Sequence, residues 1–368
     1  MRNLDRRAFR LHLVCPADCA EQLQADLPAD VRPIRLSFPS PRHLTAAIRF
    51  ARLLRNLRID ILHSHLFTAS LAASPVGWMC GVPVIVETPH VREAWRRGIL
   101  KGTHVVDRFA GRFVDRYIAV SDANARYLVE QKRLPVKKIS VIPNGCDLRK
   151  FRSGEPIPEV AHNDAGLSET APVLLVIARL EPQKGHWSCL EAFRAVLREF
   201  PKAQLILLGE GSLRRKLTQV AAELGLERSV RFAGHQTNLR DCLALCDVSI
   251  LPSLYEGLPL AAIESLAAER PLVATNVDGT PEVVVDGKTG LLVPPGNPQK
   301  LATAILELLR QPQLGRRLAR AGREWVAARF SQEQQIEKTQ ELYLREWKLA
   351  RANSGAVPKF GSGRVSHA

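Results

Sequence analysis

Two glutamates eight positions apart are the residues in this sequence that most directly suggest chemistry. Glu256 lies in the turn after a short apolar run, and Glu264 lies in the helix predicted over residues 258–267. The start of a helix carries unpaired N–H groups and about half a positive charge, so it attracts phosphate. A carboxylate beside it accepts hydrogen bonds from hydroxyls, so a nucleotide sugar would suit the site. The simpler alternative is a capped surface helix with acidic residues near its start.

The composition is that of a globular protein with a strongly basic surface. The chain has 368 residues, which is enough for two domains that each bury a core. Its 52 Lys and Arg exceed its 37 Asp and Glu, and the formal net charge is +15. Such a surface attracts nucleic acid, acidic lipid headgroups or phosphorylated substrates. No basic motif interleaved with aromatic residues and no recognition helix is visible, so we predict no nucleic-acid partner.

Cysteine use and hydropathy indicate a reduced, cytoplasmic protein. The seven cysteines are irregularly spaced, and those four positions apart lack the companion ligands of a zinc site. The apolar run near the first residue is too short for a secretory signal. Residues 61–86 contain no Asp, Glu, Lys or Arg. Prolines and glycines interrupt this segment, so it predicts strand, helix, turn and strand in a core instead of a membrane span.

Alternating apolar and amphipathic segments predict strand and helix units around parallel sheets in both halves. The loops with candidate chemistry follow predicted strands of the second half, where doubly wound sheets bind ligands. The predicted organisation is an acceptor-side domain at 1–152, a linker at 153–166, a nucleotide-sugar domain at 167–330, a helix at 331–352 packing back towards the first domain, and a disordered tail at 353–368.

Several of these loops together resemble the retaining, metal-independent glycosyltransferases of family 4, which have the GT-B architecture. The second half matches that family in order and spacing at ARLEPQKG, LLGEGSLR, LPSLYEGLPLAAIESLA and DGTPEVVVDGKTGLLVPPG. The first half adds DILHSH, ETPH, AVSDANARYL and VIPNGCD. The resemblance implies an α/β fold of two Rossmann-like, doubly wound domains that face each other across a cleft.

The resemblance also implies roles for individual residues. Arg179 and Lys184 would neutralise the leaving diphosphate, since no Asp-x-Asp pair is present to hold a cation. His90 would lie near the reacting sugar, and Glu256 would hold one of its hydroxyls. Further donor contacts are expected from Gly209, Gly211, Gly257, Leu258 and Glu264, the last of these at the ribose. We therefore predict no metal and no cofactor besides the nucleotide-sugar donor.

Two more residues are candidates for the pocket, each with a structural alternative. His65 ends a predicted strand, where a histidine is more often hydrogen-bonded and structural than catalytic. Glu282 matches the family's Pro-Glu pair, although it would equally suit a helix cap beneath the donor.

The sequence departs from the family pattern near its first residue. Family members usually begin with a strand, a loop with two adjacent glycines and a helix, and this chain shows no such glycine pair there. A coding start placed too far downstream is favoured over a natural fragment. A sheet without an inner strand exposes an apolar edge, so we expect the 368-residue chain to be less stable or less active than one extended upstream.

The resulting prediction is a retaining transfer of sugar to a hydroxyl of a glycan or lipid-linked acceptor. The basic first half favours envelope polysaccharide or lipopolysaccharide synthesis, in the cytoplasm or on the inner face of the membrane. The arginine stripe at 49–58 and Trp95 are either a solvated face or a contact with anionic lipid. The alternatives are a nucleotide-sugar epimerase or hydrolase of the same fold and a non-catalytic nucleotide-sugar-binding protein.

Overall fold

The two halves of the chain are each built on parallel sheets. The predicted linker, the basic segment at 91–103 and the tail beyond residue 353 lie outside the described residues. The computed structural model describes residues 3–23, 27–37, 44–90, 104–151 and 171–353.

The first half contains two sheets, and among the described residues no strand of one sheet pairs with a strand of the other. A two-stranded sheet pairs β1 (Leu13–Cys15) with β2 (Pro33–Arg35). The other sheet contains, in spatial order, β3 (Ile61–His65), β4 (Val84–Thr88), β5 (Arg116–Ala119) and β6 (Ile139–Val141). The connecting helices are α1 (Ala17–Leu23), α2 (Leu44–Asn56), α3 (Phe67–Met79), α4 (Val105–Ala110) and α5 (Asp122–Glu130). Every residue of β4 is buried, so the strand that leads towards His90 is held rigidly.

The second half is a six-stranded parallel sheet. Its strands are β7 (Val173–Ile177), β8 (Gln204–Leu208), β9 (Val230–Gly234), β10 (Val248–Leu251), β11 (Leu272–Thr275) and β12 (Leu291–Val293). Its helices are α6 (His186–Leu197), α7 (Arg214–Glu223), α8 (Leu239–Ala244), α9 (Leu260–Ala267), α10 (Thr280–Val283), α11 (Pro298–Arg310) and α12 (Pro312–Arg329).

The strand order of this sheet is β12, β11, β10, β7, β8, β9. The chain therefore runs outward from β7 through β9 and then returns to the other side of β7 at β10. Where the order reverses, the loops after β7 and β10 lie side by side at the carboxyl ends of both strands, which is where doubly wound sheets bind ligands. The candidate loops with Lys184 and Glu256 follow these two strands. Helices cover both faces of the sheet, with Phe193 of α6 and Ile263 of α9 fully buried in separate apolar clusters.

The last helix of the described chain, α13 (Gln332–Asn353), lies against the first half. Its Leu342 is buried with Val84, Val86, Ile118 and Ile142 of the four-stranded sheet. Because this helix follows the second half in sequence, one apolar face of the four-stranded sheet is covered by residues that are distant from it in the chain.

Two sequence predictions can be compared with the elements directly. Residues 61–86 form β3, α3 and the first part of β4, as predicted, and no helix among the described residues is long and apolar enough to span a membrane. The helix predicted from Leu258 begins instead at Leu260. Pro259 occupies the N-cap position with an extended backbone, and its ring disfavours the helical conformation for Leu258 before it, so the turn after β10 is longer than the pattern suggested.

Candidate active site

A preformed ion pair lies at the reversal point of the second sheet. Lys184 Nζ is 2.6 Å from Glu256 Oε1, although the two residues belong to different loops. Both side chains are largely buried. An ammonium has three donors, so contact with one carboxylate oxygen leaves Lys184 able to bind a second anion. The pair therefore presents a fixed cation and a fixed acceptor side by side.

Further hydrogen bonds hold Glu256 in place. The Ser253 hydroxyl donates to Glu256 Oε1 at 2.7 Å, and the Glu256 backbone N–H donates to Asp278 Oδ2 at 3.0 Å. The Lys184 loop is tied to the same turn, because the Leu254 N–H donates to the Gln183 carbonyl at 2.8 Å. The carboxylate of Glu256 is thus oriented before any ligand binds, which is what a positioned catalytic group requires.

The glycine loop after β8 packs directly on the backbone beyond β7. A side chain at Gly209 would collide with the Ala178 carbonyl, and one at Gly211 with the Leu180 carbonyl. These glycines therefore have a packing reason to be there, while their predicted donor contacts stay predictions. The Arg179 side chain is exposed in the same region, and its carbonyl oxygen lies 3.0 Å from His186 Nε2.

Three histidines form a stacked array at the ends of β3 and β4. The rings of His63 and His65 stack at 4.3 Å, those of His65 and His90 at 5.2 Å, and His65 Nδ1 lies 2.9 Å from His90 Nε2. His63 uses both ring nitrogens, one with the Tyr343 hydroxyl from α13 and one with Thr88 Oγ1 at 2.7 Å. The array fixes the orientation of His90 through His65.

Burial lowers the pKa values of these imidazoles. Desolvation lowers the pKa of His90, and desolvation together with the neighbouring His90 lowers the pKa of the partly exposed His65 to about 4. The pKa of His63 is held well below its usual range by burial. Neutral His65 and His90 can share one hydrogen bond, whereas the two protonated rings would repel each other.

The two halves meet at the ends of β4 and β5. Ser121 donates through Oγ to the Gly257 carbonyl at 2.9 Å. A Cβ on Gly257 would lie inside 3.0 Å of the His90 carbonyl oxygen, and a Cβ on Gly279 would collide with the Gly257 carbonyl. The backbone next to Glu256 therefore contacts the backbone of His90 with no space for a side chain between them.

Glu282 reaches across to the first half. Its carboxylate accepts hydrogen bonds from the backbone N–H groups of Asp122 at 2.9 Å and Ala123 at 2.8 Å, the first two residues of α5. A negative charge is favourable at the positive end of a helix. Glu282 thus caps a helix of the opposite half, and not one beneath the donor loop of its own sheet.

The chain matches known protein families over both halves. Residues 1–150 match the family described as Glycosyltransferase Family 4, and residues 159–325 match Glycosyl transferases group 1. A glycogen synthase of Mycobacterium tuberculosis is 31% identical over 299 residues, which are 79% of this chain and 70% of that protein. The chain belongs to the family 4 glycosyltransferases.

Two further comparisons describe this glycosyltransferase. An Escherichia coli enzyme described as UDP-Gal:α-D-GlcNAc-diphosphoundecaprenol α-1,3-galactosyltransferase is 24% identical over 309 residues, or 82% of this chain and 80% of that one. The crystal structure of Anabaena HepE in complex with UDP and glucose superposes with a TM-score of 0.79 at 19% identity, covering 91% of each chain. The fold is thus GT-B, with two Rossmann-like domains, as the sequence predicted.

Glu264 of this glycosyltransferase lies apart from the ion pair, one turn into α9. Burial raises the pKa of its carboxyl, and the Lys150 ammonium opposes that shift. Its charge also contributes, after burial, to the raised pKa of the Cys146 thiol at about 12. Glu264 therefore faces the segment that follows β6, and its predicted contact with the ribose stays a prediction.

Several residues around the site were not singled out from the sequence. Ser253 and Asp278 fix Glu256, Ser121 ties the halves together, and Tyr343 supports the histidine array. The sequence shows that SLYEG and VDGTP are turns, but it does not show that these two turns contact each other. Leu258, a predicted donor contact, has a side chain buried in the second domain's core, so only its backbone is available for such a contact.

Replacing Glu282 with glutamine in the glycosyltransferase should lower the free energy of unfolding by about 1 kcal/mol. Glutamine has one acceptor oxygen where two N–H groups need one each, and it carries no charge for the α5 terminus. Thermal or urea unfolding measures the loss. The same change at Glu337, which is exposed on α13, serves as the control and should leave stability unaltered. Equal stability of both variants would mean that the cap does not contribute.

Stability should also fall as the pH is lowered from about 6.5 towards about 4. Above the ordinary histidine pKa of 6.5, His65 is neutral both folded and unfolded, so its full contribution is present. Below that pH, His65 binds a proton in the unfolded chain but not in the folded protein. Lowering the pH therefore stabilises the unfolded state relative to the folded one. Melting curves of a His65→Asn variant should show a shallower decline over this range than the parent. Replacing the exposed His235 should leave the decline unchanged.

Proposed function

We propose that this glycosyltransferase is a retaining enzyme that transfers a sugar from a UDP-linked donor to a hydroxyl of a lipid-linked or growing envelope glycan. The observation that carries the proposal is the Lys184–Glu256 ion pair at the strand reversal, directly beside the backbone contact between Gly257 and His90. A cation for diphosphate and a carboxylate for sugar hydroxyls are adjacent there. His90, whose backbone carbonyl contacts Gly257, belongs to the other domain.

The proposed transfer needs no protein nucleophile. The bond between the anomeric carbon and the donor phosphate oxygen breaks as the acceptor oxygen bonds to that carbon on the same face. The acceptor proton passes to the departing phosphate oxygen. Negative charge grows on the diphosphate in the transition state, where Lys184 and Arg179 stabilise it. Glu256 holds a sugar hydroxyl, and His90, oriented by His65, donates to or accepts from the sugar or the acceptor.

The chemistry of the acceptor is inferred from charge and from one relative. The Escherichia coli relative is described as acting on a sugar linked to diphosphoundecaprenol, which is an anionic lipid carrier. The net charge of +15 favours binding to such an acceptor. The other functions with the same fold are a nucleotide-sugar epimerase or hydrolase and a binding protein without turnover.

A panel of UDP-, GDP- and ADP-sugars separates these functions. Nucleotide release is followed with and without a membrane extract, and the anomeric configuration of the product is determined by NMR. The proposal predicts release from a UDP-sugar only with extract, and retention at the anomeric carbon. Release without extract would indicate hydrolysis or epimerisation, binding without release a non-catalytic protein, and an inverted product a different mechanism.

A further inference from the structure

An exposed apolar patch lies on the first domain where α3 ends and α4 begins. Five large apolar side chains are exposed there: Trp78 at 61%, Met79 at 63%, Val105 at 57%, Val106 at 37% and Phe109 at 57%. We refer to these residues as the apolar patch. Scattered apolar residues on a surface need no explanation, but large side chains from adjacent elements that form one exposed group mark a contact surface.

Ring contacts show that the patch is continuous. The half-buried Phe113 joins the two elements, with its ring 5.4 Å from that of Trp78 and 5.7 Å from that of Phe109. The end of α3 and the outer side of α4 therefore present one aromatic and aliphatic surface. Phe113 supports this surface from beneath, so the exposed rings are held in place.

The charges around the patch are positive. Arg108 and Arg112 are exposed beside it, and the Arg112 guanidinium lies 5.8 Å from the centre of the Phe109 ring. The acid of the same helix, Asp107, is turned inward, with its carboxylate 2.7 Å from the buried Lys132 ammonium. The outer surface of α4 thus combines apolar side chains with guanidinium groups and presents no carboxylate.

We propose that the apolar patch docks this enzyme onto the surface of an anionic lipid bilayer. Apolar rings at the level of the headgroups, with arginines reaching the phosphates, are the combination that such a surface binds. The flanking segment 91–103 has four basic residues and one acid in its sequence, which adds attraction without any assumption about its structure. The inference goes beyond the proposed function, because docking requires neither donor nor acceptor.

The test measures binding of the full chain to vesicles by sedimentation. One set contains phosphatidylglycerol and phosphatidylcholine in equal parts, and the other contains phosphatidylcholine alone. We expect binding to the anionic set only. Trp78→Ser combined with Phe109→Ser should weaken it about 10-fold or more, and Arg108→Gln combined with Arg112→Gln should weaken it by a similar factor.

Trp187 provides a matched control in the second domain. Its ring is 48% exposed on α6 and has the Lys216 ammonium 5.9 Å from its centre, so it is also an exposed aromatic beside a cation. Trp187→Ser should bind anionic vesicles as tightly as the parent. With a soluble acceptor, release of nucleotide from the donor should be equal in all variants. This measurement separates a failure of docking from a failure of the proposed transfer.

A fluorescence measurement uses conservative variants that keep an aromatic ring at each position. Lipids brominated near the headgroup should quench part of the tryptophan emission of the parent on anionic vesicles. The quenched part should be smaller in Trp78→Phe than in the parent and unchanged in Trp187→Phe. Binding that is unchanged by the double serine variant, no binding to anionic vesicles, or quenching in Trp78→Phe equal to that of the parent would each overturn the proposal and leave a protein partner as the occupant of the patch.

Discussion

Replacing Lys184 with methionine is expected to lower kcat by about 100- to 1,000-fold. Methionine keeps the approximate length and packing of the side chain but removes the cation that lies 2.6 Å from Glu256. If negative charge grows on the departing diphosphate, the loss is larger in the transition state than in the bound donor. The donor KM should therefore change much less than kcat, and steady-state nucleotide release measures both.

The ion pair requires a control for stability. Removing one partner of a buried pair leaves the other charge uncompensated and destabilises the protein. Glu256→Gln combined with Lys184→Met removes both charges and should melt closer to the parent than Lys184→Met alone. If the double variant regains stability, the instability of Lys184→Met comes from the unpaired Glu256, and a kcat loss that persists in Lys184→Met at a temperature at which it is fully folded belongs to catalysis. A Lys184→Met enzyme with parental kcat would show that this cation does not act on the leaving group.

Replacing Gly257 with alanine is expected to lower kcat by about 100-fold, although it adds only one methyl group. That methyl would lie inside 3.0 Å of the His90 carbonyl oxygen and 3.2 Å from Val120 Cγ2. Neither neighbour is the flexible end of a side chain, so the two domains have to separate at this point. A displacement of about 1 Å between Glu256 and His90 is sufficient to disturb a reacting geometry.

Gly225 supplies the matched control for this substitution. It follows α7 with a φ of +70° and has no atom within 4 Å of an added Cβ. Gly225→Ala should therefore cost about 1 kcal/mol of stability through backbone strain and leave kcat unchanged. Comparing melting temperature and kcat for both variants separates strain from domain separation. Parental kcat in a folded Gly257→Ala enzyme would mean that the domains do not have to touch at this point during the reaction.

The sequence predicted the elements of the fold well because the local signals were strong. The helix over 44–56 has a clear apolar stripe, and short apolar runs bounded by turn residues form the six strands of the second domain. The predicted start of α9 is two residues early, because the apolar pattern begins at Leu258 while the ring of Pro259 disfavours the helical conformation for Leu258.

The side-chain contacts of the site could not be predicted in the same way. Lys184 and Glu256 are 72 positions apart, and they meet only because β10 returns to pair with β7. His63 and Tyr343 are 280 positions apart, and no periodicity links them. Glu282 has the composition of a helix cap, but the helix that it caps belongs to the other domain. These pairings depend on the order of strands and domains, which local patterns do not contain.

The roles of the site residues rest on the resemblance and stay predictions. The structure brings together Lys184 with Glu256, and His90 with both His65 and Gly257. Glu264 lies near Lys150 and Cys146, and the Arg179 side chain is exposed in the loop after β7. The variants above test the first set. A donor-affinity measurement on Glu264→Gln would test the ribose contact separately.

The position of α13 has a consequence for how the chain folds during synthesis. The apolar side chains of Val84, Val86 and Ile118 belong to the four-stranded sheet, but the helix that covers them with Leu342 is translated after the second domain. The first domain therefore emerges from the ribosome with one face of its sheet uncovered and cannot complete its core until the second domain has been translated. During that interval, the exposed face is a binding surface for chaperones and a site of aggregation.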